Sequence, residues 1–496
     1  MHASEQLTNL IFMFTDEQKA STMSAYGNHR IETPNLDRLA SQSCVFENAY
    51  VTQPVCTPSR SSILTGLYPH TNGCIANNIP LPQESKCFPE MLPQGKYATG
   101  YDGKWHLGDE IFAQHGFDEW KSIEDLYRRY YRPYRDRDSR STYHRFLIDS
   151  GFKPRDGDLF GRGECARLPE DYTKAAYVAK EACDFIETHR REEFVLFVNF
   201  LEPHMPFYGP RDDQYNPSEI DLPPNFDSPP TIDQPLKTRI FRDAYRQFGH
   251  GGFPLRTESD WRKVISNYWG LCSLVDTQVG RIMRTIGNTG LDDDTIVVFT
   301  SDHGDMMGSH RLLTKCVMFE EAAKIPMMIR LPGQKESMTI GEPTSQIDLV
   351  PTLLDLMDEK IPSHLQGRSL APRLAEGEGR EHRNIFFEWN GRETGDTWRE
   401  RVVGQESVKL PGGYDEKKAM AAVSDDIRTV ITPDGWKLNC SVLGEHELYN
   451  LRADPFERIN MAKDREKRQV MNELLEAIKI WQGETDDRVG LPEVIT

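Results

Sequence analysis

A cysteine that opens a helix, with an arginine one turn further in, can do chemistry on an anion. Cys56-Thr57-Pro58-Ser59-Arg60, followed by Ser61–Gly66, has that form. Pro58 suits the first turn of a helix, and Thr57 can cap it. Cys56 then lies at a helix N-terminus, where backbone N–H groups and the helix dipole favour negative charge. Arg60 can hold an oxyanion through charge-assisted hydrogen bonds. A thiol, or a group made from it, would face an anionic ligand there. On these residues alone the segment reads equally well as a buried structural cysteine.

Four further polar clusters each follow a short apolar run. Leu10–Thr15 runs into Asp16, and Tyr97–Tyr101 into Gly103-Lys104-Trp105-His106. Phe194–Leu201 runs into Glu202-Pro203-His204, and Ile296–Thr300 into Ser301-Asp302-His303. Taken singly, an acid or histidine at such a place is a strand-end cap. Runs this apolar suit strands buried on both faces of a parallel sheet. Helical patterns separate them, Thr33–Ser43 and Tyr172–Thr188 among them. The expected fold is therefore α/β, with a large, mostly parallel sheet flanked by helices. Ligands in such sheets lie beyond the carboxyl ends of the strands. All four clusters occupy such ends, so they are expected to converge on one site.

The chain has 496 residues, a net charge of −18, 38% hydrophobic and 27% charged residues. At ~100–200 residues per domain this is one large domain with a smaller one, or two to three equal ones. The core can be large enough to fold without disulfides. The acidic balance argues against nucleic acid and against an anionic membrane surface as partners. Nine scattered cysteines without a CxxC pair form neither a zinc knuckle nor a disulfide framework. No apolar run reaches the ~18 residues of a membrane span, so no membrane insertion is expected. Met1–Thr8 lacks a basic stretch followed by an apolar region. The chain thus reads as cytoplasmic, or as periplasmic or secreted with a signal removed. After about Leu374 the texture changes. Glu376–Arg383 resembles a linker, and strand candidates follow at Ile385–Trp389, Ile427–Ile431 and Trp436–Val442. A last helix is expected over Asp464–Trp481, with Val470, Leu474, Ile478 and Trp481 on one face. Residues 1–375 are expected to form the catalytic domain, and 376–496 a smaller α+β domain.

Cys56-Thr57-Pro58-Ser59-Arg60 with Leu64-Thr65-Gly66 resembles the Cys-x-Pro-Ser-Arg signature of type I sulfatases. Thr33–Leu39, Gly103–Gly108, Ser301–Gly304, Gln346–Leu356 and Glu447–Leu451 resemble further blocks of that family, in its order, so the resemblance runs from residue 9 to about 463. It implies an alkaline-phosphatase-like sandwich with a small C-terminal domain. It also implies a formylglycine-generating maturase that oxidises Cys56 to Cα-formylglycine.

The resemblance carries roles onto single residues. Asp16 and Asp302 match metal carboxylates. Glu17 stands where the family has a second Asp or a Gln, and His303 where many members have Asn. An Asp-His pair also occurs in the choline-sulfatase and phosphonate-monoester-hydrolase branches. The implied metal set is Asp16, Glu17, Cys56, Asp302 and His303 around one divalent ion. Oxygen-rich ligands favour Ca²⁺ or Mg²⁺, Ca²⁺ foremost, and the imidazole also suits Mn²⁺. Lys104 and His106 resemble the pair that contacts the sulfate and the formylglycine hydroxyls. Lys315 resembles the lysine that neutralises a sulfate oxygen, and His204 the proton donor to the leaving alcohol. Asn77, 21 residues after Cys56, resembles a substrate-facing asparagine of the choline-sulfatase branch, with Asn78 one step out of register. His310, in Gly308-Ser309-His310, is a second candidate to face substrate.

The reaction so implied is hydrolysis of an organic sulfate ester. Hydrated formylglycine 56 attacks sulfur, the alcohol leaves, and the second hydroxyl expels sulfate to restore the aldehyde. A phosphonate monoester or phosphodiester hydrolase on the same fold is the alternative. The Lys104–His106 pair favours the sulfatase, because the phosphonate branch departs from it. The substrate expected is a small-molecule or oligosaccharide sulfate ester. Tyr127–Arg145 bears on its alcohol part: seven arginines there, among them Arg128, Arg132 and Arg135, interleave with five tyrosines. Such a stretch could receive a sulfated, uronate-containing saccharide. The plainer alternative is a solvated surface helix whose arginines pair with Asp136, Asp138 and nearby acids.

Overall fold

The computed structural model describes residues 8–155, 157–376, 383–391 and 410–495. Its centre is an eight-stranded sheet. In chain order the strands are β1 (Asn9–Asp16), β2 (Cys44–Phe46), β3 (Ala98–Gly103), β4 (Glu119–Ser122), β5 (Phe194–Pro203), β6 (Thr295–Ser301), β7 (Met327–Arg330) and β8 (Met338–Ile340). They lie side by side as β8-β2-β7-β6-β1-β5-β3-β4. Only β7 runs against the rest; every other neighbouring pair is parallel.

The apolar runs are central strands because side chains alternate between two buried faces. Leu10, Phe12 and Phe14 share one core with Val195, Phe197, Ile296 and Val298. Ile11 and Met13 share the other with Leu196, Val198, Val297 and Phe299. Helices α1 (Pro34–Ala40), α3 (Lys174–His189) and α4 (Glu258–Thr289) cover the second face. Helices α2 (Cys56–Thr65) and α5 (Leu349–Leu356) cover the first. α4 is held at both ends: Thr257 and Asp260 form a capping box, and Gly290 closes it in the left-handed conformation. Both expected helices are shorter at their starts. α1 begins at Pro34, and α3 begins at Lys174, after Thr173 caps it by accepting the Ala176 N–H.

Four antiparallel strands form a second sheet in sequential order, β9 (Ile385–Trp389), β10 (Ile427–Ile431), β11 (Trp436–Ser441) and β12 (Glu447–Asn450). β12 had no strand signal of its own beyond the Glu447–Leu451 block. Phe387, Trp389, Ile427 and Tyr449 of this sheet enter the core that holds α2. Val430, Leu438, Cys440 and Leu448 face the other way, onto α6 (Arg468–Thr485). α6 starts four residues later than expected, because Asp464 caps a separate 3-10 turn over Arg465–Lys467. It buries Met471, Leu474, Leu475, Ile478 and Trp481. The charged segment Glu376–Arg383 falls, at 377–382, outside the described residues. Among the described residues no helix is long and apolar enough to cross a membrane, and none of the nine cysteines is paired.

One buried ion pair ties this sheet to the region of α2. His70 lies just beyond α2, and its backbone N–H and Nδ1 meet the two carboxylate oxygens of Glu388 at 2.9 and 2.5 Å. Its Nε2 faces the Thr485 carbonyl at the end of α6, 3.2 Å away. Two acceptors facing both ring nitrogens suit the imidazolium. Burial disfavours the charge, but Glu388 outweighs it and raises the His70 pKa. A raised folded-state pKa means that the pair's stabilisation is complete below the unfolded value and is lost as pH rises through the folded value. Glu388→Gln should therefore cost about 3–5 kcal/mol near pH 6, and less as pH rises past the His70 pKa. Urea denaturation of both proteins across pH measures this; a gap that stays constant with pH would contradict it.

Candidate active site

β6, β1, β5 and β3 are adjacent and parallel, so their carboxyl ends lie side by side. Asp16 ends β1, Lys104 and His106 follow β3, His204 follows β5, and Asp302 and His303 follow β6. The N-terminus of α2 points into the same place. Cys56 is the first residue of α2 and Val55 its N-cap, so Thr57 is not the cap. The helix starts two residues earlier than a Thr57 cap would allow, and Asn77 Oδ1 accepts the Thr57 N–H at 3.0 Å, satisfying that free donor from outside. Thr57 Oγ1 instead donates to the His106 carbonyl at 2.7 Å.

Arg60 organises the centre. Its Nε donates to Asp302 Oδ2 at 2.9 Å and its Nη2 to Asp16 Oδ2 at 2.8 Å. Its Nη1 donates to the Lys104 carbonyl at 2.7 Å and to Asn199 Oδ1 at 2.9 Å. Arg60 thus grips two acids instead of facing an open oxyanion position as the sequence suggested. Gly103 permits the close passage of β3 along β5: it has φ +128°, and a Cβ there would lie 2.0 Å from the Asn199 carbonyl oxygen.

The other cations lie in the same cluster. Lys104 Nζ donates to Asp16 Oδ2 at 2.5 Å, and Lys315 Nζ to Glu17 Oε2 at 2.7 Å. Burial opposes ionisation of Asp16, but Lys104, His204 and Arg60 outweigh it and hold Asp16 well below the carboxylate range. Glu17 is different: burial pushes it up to about 8 against the pull of Lys315. Burial, with Asp16 adding to it, also pushes the Cys56 thiol up to about 11. The helix N-terminus therefore does not make this thiol a ready thiolate.

His303 Nδ1 meets the Gly304 carbonyl at 2.9 Å, which puts the proton there and makes Nε2 the acceptor that faces Cys56. Nε2 lies 3.2 Å from Cys56 Sγ, 3.6 Å from Asp302 Oδ1 and 3.8 Å from Asp16 Oδ1. One donor atom each from Asp16, Cys56, Asp302 and His303 falls within 4.8 Å of the others; Asp16, Glu17 and His204 form a second such set. Glu17 Oε1 is buried with no hydrogen-bond partner. Hard carboxylate oxygens with one lone-pair imidazole fit a divalent cation.

His204 Nδ1 meets the Met205 carbonyl at 2.8 Å, and its Nε2 lies 3.5 Å from Glu17 Oε2. His106 Nε2 meets Asn78 Oδ1 at 3.0 Å, while its Nδ1 is buried without a partner. Burial, and then Lys315 for His204 and Lys104 for His106, depress both imidazoles well below their usual range. Glu17, Asn78, His106, Thr314 and Cys316 all have positive φ, so the backbone around the cluster is held in sparsely populated conformations. His310 makes its contacts elsewhere. Its Nδ1 meets the Ser228 carbonyl at 2.6 Å, and its ring stacks on Phe319 at 4.3 Å.

Sequence reasoning missed several residues. Asn199 was legible as the one polar side chain within Phe194–Leu201. Asp305 lies three beyond Asp302; its Oδ1 accepts the Met307 and Thr314 N–H groups, and its Oδ2 is buried without a partner. Glu110 shapes the Lys104–His106 turn by accepting the Trp105 and His106 N–H groups at 2.8 and 2.6 Å. Gln346 donates to Thr52 Oγ1, and its Oε1 accepts the Ser59 hydroxyl.

The basic stretch is no helix over Tyr127–Ser141. Arg128–Tyr130 is one 3-10 turn, and a helix begins only at Thr142. Asp109 takes Arg132 and Arg135 at 2.8 and 3.1 Å. Those two arginines anchor the stretch. Tyr127 is the residue that reaches the site, its ring 4.3 Å from that of His106.

Comparison with known proteins agrees with this geometry. The Sulfatase family model matches residues 8–359, and the model of the N-sulphoglucosamine sulphohydrolase C-terminal region matches 308–424. The chain belongs to the type I sulfatase family of the alkaline-phosphatase-like superfamily, whose members are sulfuric ester hydrolases. That family generally uses a divalent metal and formylglycine. An ulvan-active sulfatase of Formosa agariphila is 29% identical over 73% of this chain and 64% of its own length. The chain thus spans just under two thirds of that relative. An N-acetylglucosamine-6-O-sulfatase of Bacteroides thetaiotaomicron is 26% identical over 97% of this chain and 87% of its own. A solved phosphonate monoester hydrolase from Silicibacter pomeroyi shares the fold, with a TM-score of 0.78, 20% identity and 96% coverage of both chains.

Asp16, Asp302 and Arg60 are all essentially inaccessible to solvent. Removing the guanidinium would leave two buried carboxylates without their shared partner. Arg60→Gln should lower the unfolding free energy of chelator-treated protein by about 3–5 kcal/mol, as for other broken buried pairs. Urea denaturation reads this directly, and a loss under about 1 kcal/mol, typical of an exposed pair, would refute the organising role.

Proposed function

We propose that the chain hydrolyses a sulfate ester on a sugar, with formylglycine made from Cys56 as the nucleophile. The observation that carries the reading is the place of Cys56: it opens α2 and lies within 4.8 Å of donor atoms of Asp16, Asp302 and His303. The buried thiol is itself a poor nucleophile, which favours a processed side chain. Cys56 is 1% exposed, so the maturase must act before the fold closes over it. The names of the ulvan-active and N-acetylglucosamine-6-O-sulfatase relatives support a sulfated saccharide as substrate. Nine unpaired cysteines suit a reducing compartment.

Asp16, Asp302 and His303, with processed position 56, would hold one divalent cation, and Glu17 would join them through its neighbour Asp16; Ca²⁺ suits their oxygen content best, with Mg²⁺ and Mn²⁺ as the other fitting ions. When bound, it supplies Lewis acidity that favours the ionised form of the nucleophilic hydroxyl. Arg60 keeps the two main acids in place. Lys104 and Lys315 supply positive charge for the sulfate oxygens. One hydroxyl of the hydrated aldehyde forms a bond to sulfur as the ester S–O bond breaks. The substrate's negative charge would offset Lys315 and favour protonated His204, which then gives the leaving oxygen its proton, so the products are the alcohol and a sulfated hemiacetal. The remaining hydroxyl then loses its proton, its oxygen becomes the aldehyde carbonyl, and the C–O bond to sulfate breaks. Water re-forms the hydrate. Asn77 and Asn78 act next to this centre through the Thr57 N–H and His106.

The likeness to the phosphonate monoester hydrolase is one of fold, so a phosphodiester reading is tested directly. Sulfate release should exceed phosphodiester cleavage by the same preparation, and Cys56→Ala should abolish both while circular dichroism stays unchanged. More than about a tenth of wild-type turnover in that variant would sink the covalent route. Asp302→Ala should also lose the bound metal; undiminished metal content by elemental analysis would contradict the ligand assignment.

A further inference from the structure

We propose that Arg162 determines substrate specificity by binding a second anionic group, carboxylate or sulfate, on the sugar whose sulfate ester is cleaved. This rests on the sulfatase reading above. Arg162 opens the short helix Arg162–Cys165 and lies far in sequence from every residue assigned so far. Its Nε donates to Glu124 Oε2 at 2.9 Å, and its Nη2 to the Tyr127 hydroxyl at 2.8 Å. Tyr127 links it to the catalytic cluster. The Tyr127 ring lies 4.3 Å from the His106 ring, with Lys104 Nζ 5.9 Å and Arg162 Cζ 5.7 Å from its centroid. Arg162 and His204 also line one small crevice. Tyr127 thus stands between Arg162 and the Lys104–His106 pair.

The contacts of Arg162 leave one edge of its guanidinium for a ligand. Glu124 is fully buried, and Lys174 also pairs with it. Arg162 and Lys174 share this carboxylate, while Asp16 also acts on Arg162 and Glu202 on Lys174. The Arg162 side chain is 20% exposed, and its Nη1 has no protein hydrogen-bond partner among the described residues. A structural arginine would have its fork filled, as Arg60 does; Arg162 is fixed on one edge and open on the other. Such a pre-positioned guanidinium suits an oxyanion, since its orientation is already set before the ligand arrives. Arg132 and Arg135, the more conspicuous candidates in the sequence, are spent on Asp109.

Two substrate pairs distinguish the sources of the anion. One is a 2-O-sulfated uronate glycoside against its methyl ester. The other is 6-O-sulfated glucosamine with and without an N-sulfate. The readout is the ratio of kcat/KM within each pair, which cancels any general loss of activity. Wild-type enzyme should favour the doubly anionic member of one pair by about ten- to a hundredfold, the range of a charge-assisted hydrogen bond. Arg162→Gln should bring that ratio close to one, and Arg162→Lys should keep part of it. A wild-type ratio near one in both pairs, or an unchanged ratio in Arg162→Gln, would overturn the proposal. Should no sulfate ester be turned over, the sulfatase reading fails by itself. Calorimetric binding of the desulfated uronate glycoside and of N-sulfated glucosamine then decides on Arg162. Tighter binding of either by wild type than by Arg162→Gln supports it, and equal binding of both refutes it.

Discussion

The structure depends on one buried guanidinium. Arg60 lies between Asp16 and Asp302, touches the backbone after β3 and the side chain of Asn199 on β5, and is almost wholly shielded from water. Taking such charges out of water costs several kcal/mol each unless geometry and hydrogen bonding are nearly complete. That condition fixes the relative positions of α2 and of four strand ends at once. A slip of β1 or β6 by one residue would turn the acids onto the wrong face of the sheet and leave the guanidinium uncompensated. The apolar strands therefore supply more than core volume: their register is what lets a cluster of opposite charges survive burial.

That cluster also explains why the unmodified thiol is quiet. A helix N-terminus favours a thiolate, yet burial and the neighbouring Asp16 carboxylate dominate and push Cys56 up to about 11. The same acids that oppose a thiolate suit a divalent cation. The centre thus suits the proposed processed side chain and metal better than it suits cysteine chemistry. Lys104, Lys315 and Arg162 are the cations of this region, each held by an acid, Asp16, Glu17 and Glu124 in turn, and Tyr127 lies beside two of them.

Much of this was legible in the sequence. The runs ending at Asp16, His204 and Asp302 announce buried parallel strands through period and composition, and the convergence of their polar ends follows from the sheet class. Glu447–Asn450 is too short for its period to show, so the last strand of the second sheet was invisible as a strand. Thr57 looked like a cap because local propensity says so, but the cap comes from Asn77, 20 residues away, which no local rule can see. Arg60 looked like an oxyanion holder for the same reason: its partners are long-range. The Tyr127–Arg145 stretch was read by composition alone. Its arginines divide by contact into anchors on buried Asp109 and freer side chains, and Arg162, outside the stretch, is the one that approaches the site.

The central claim is that position 56 carries an aldehyde in the active protein. Mass spectrometry of the peptide containing residue 56, taken from a preparation whose sulfate release has been measured, tests it most directly. The account predicts that the mass corresponds to the aldehyde or its hydrate in place of the thiol, and that specific activity scales with the converted fraction across preparations. Full sulfate release by protein whose residue 56 is entirely unmodified cysteine would contradict it.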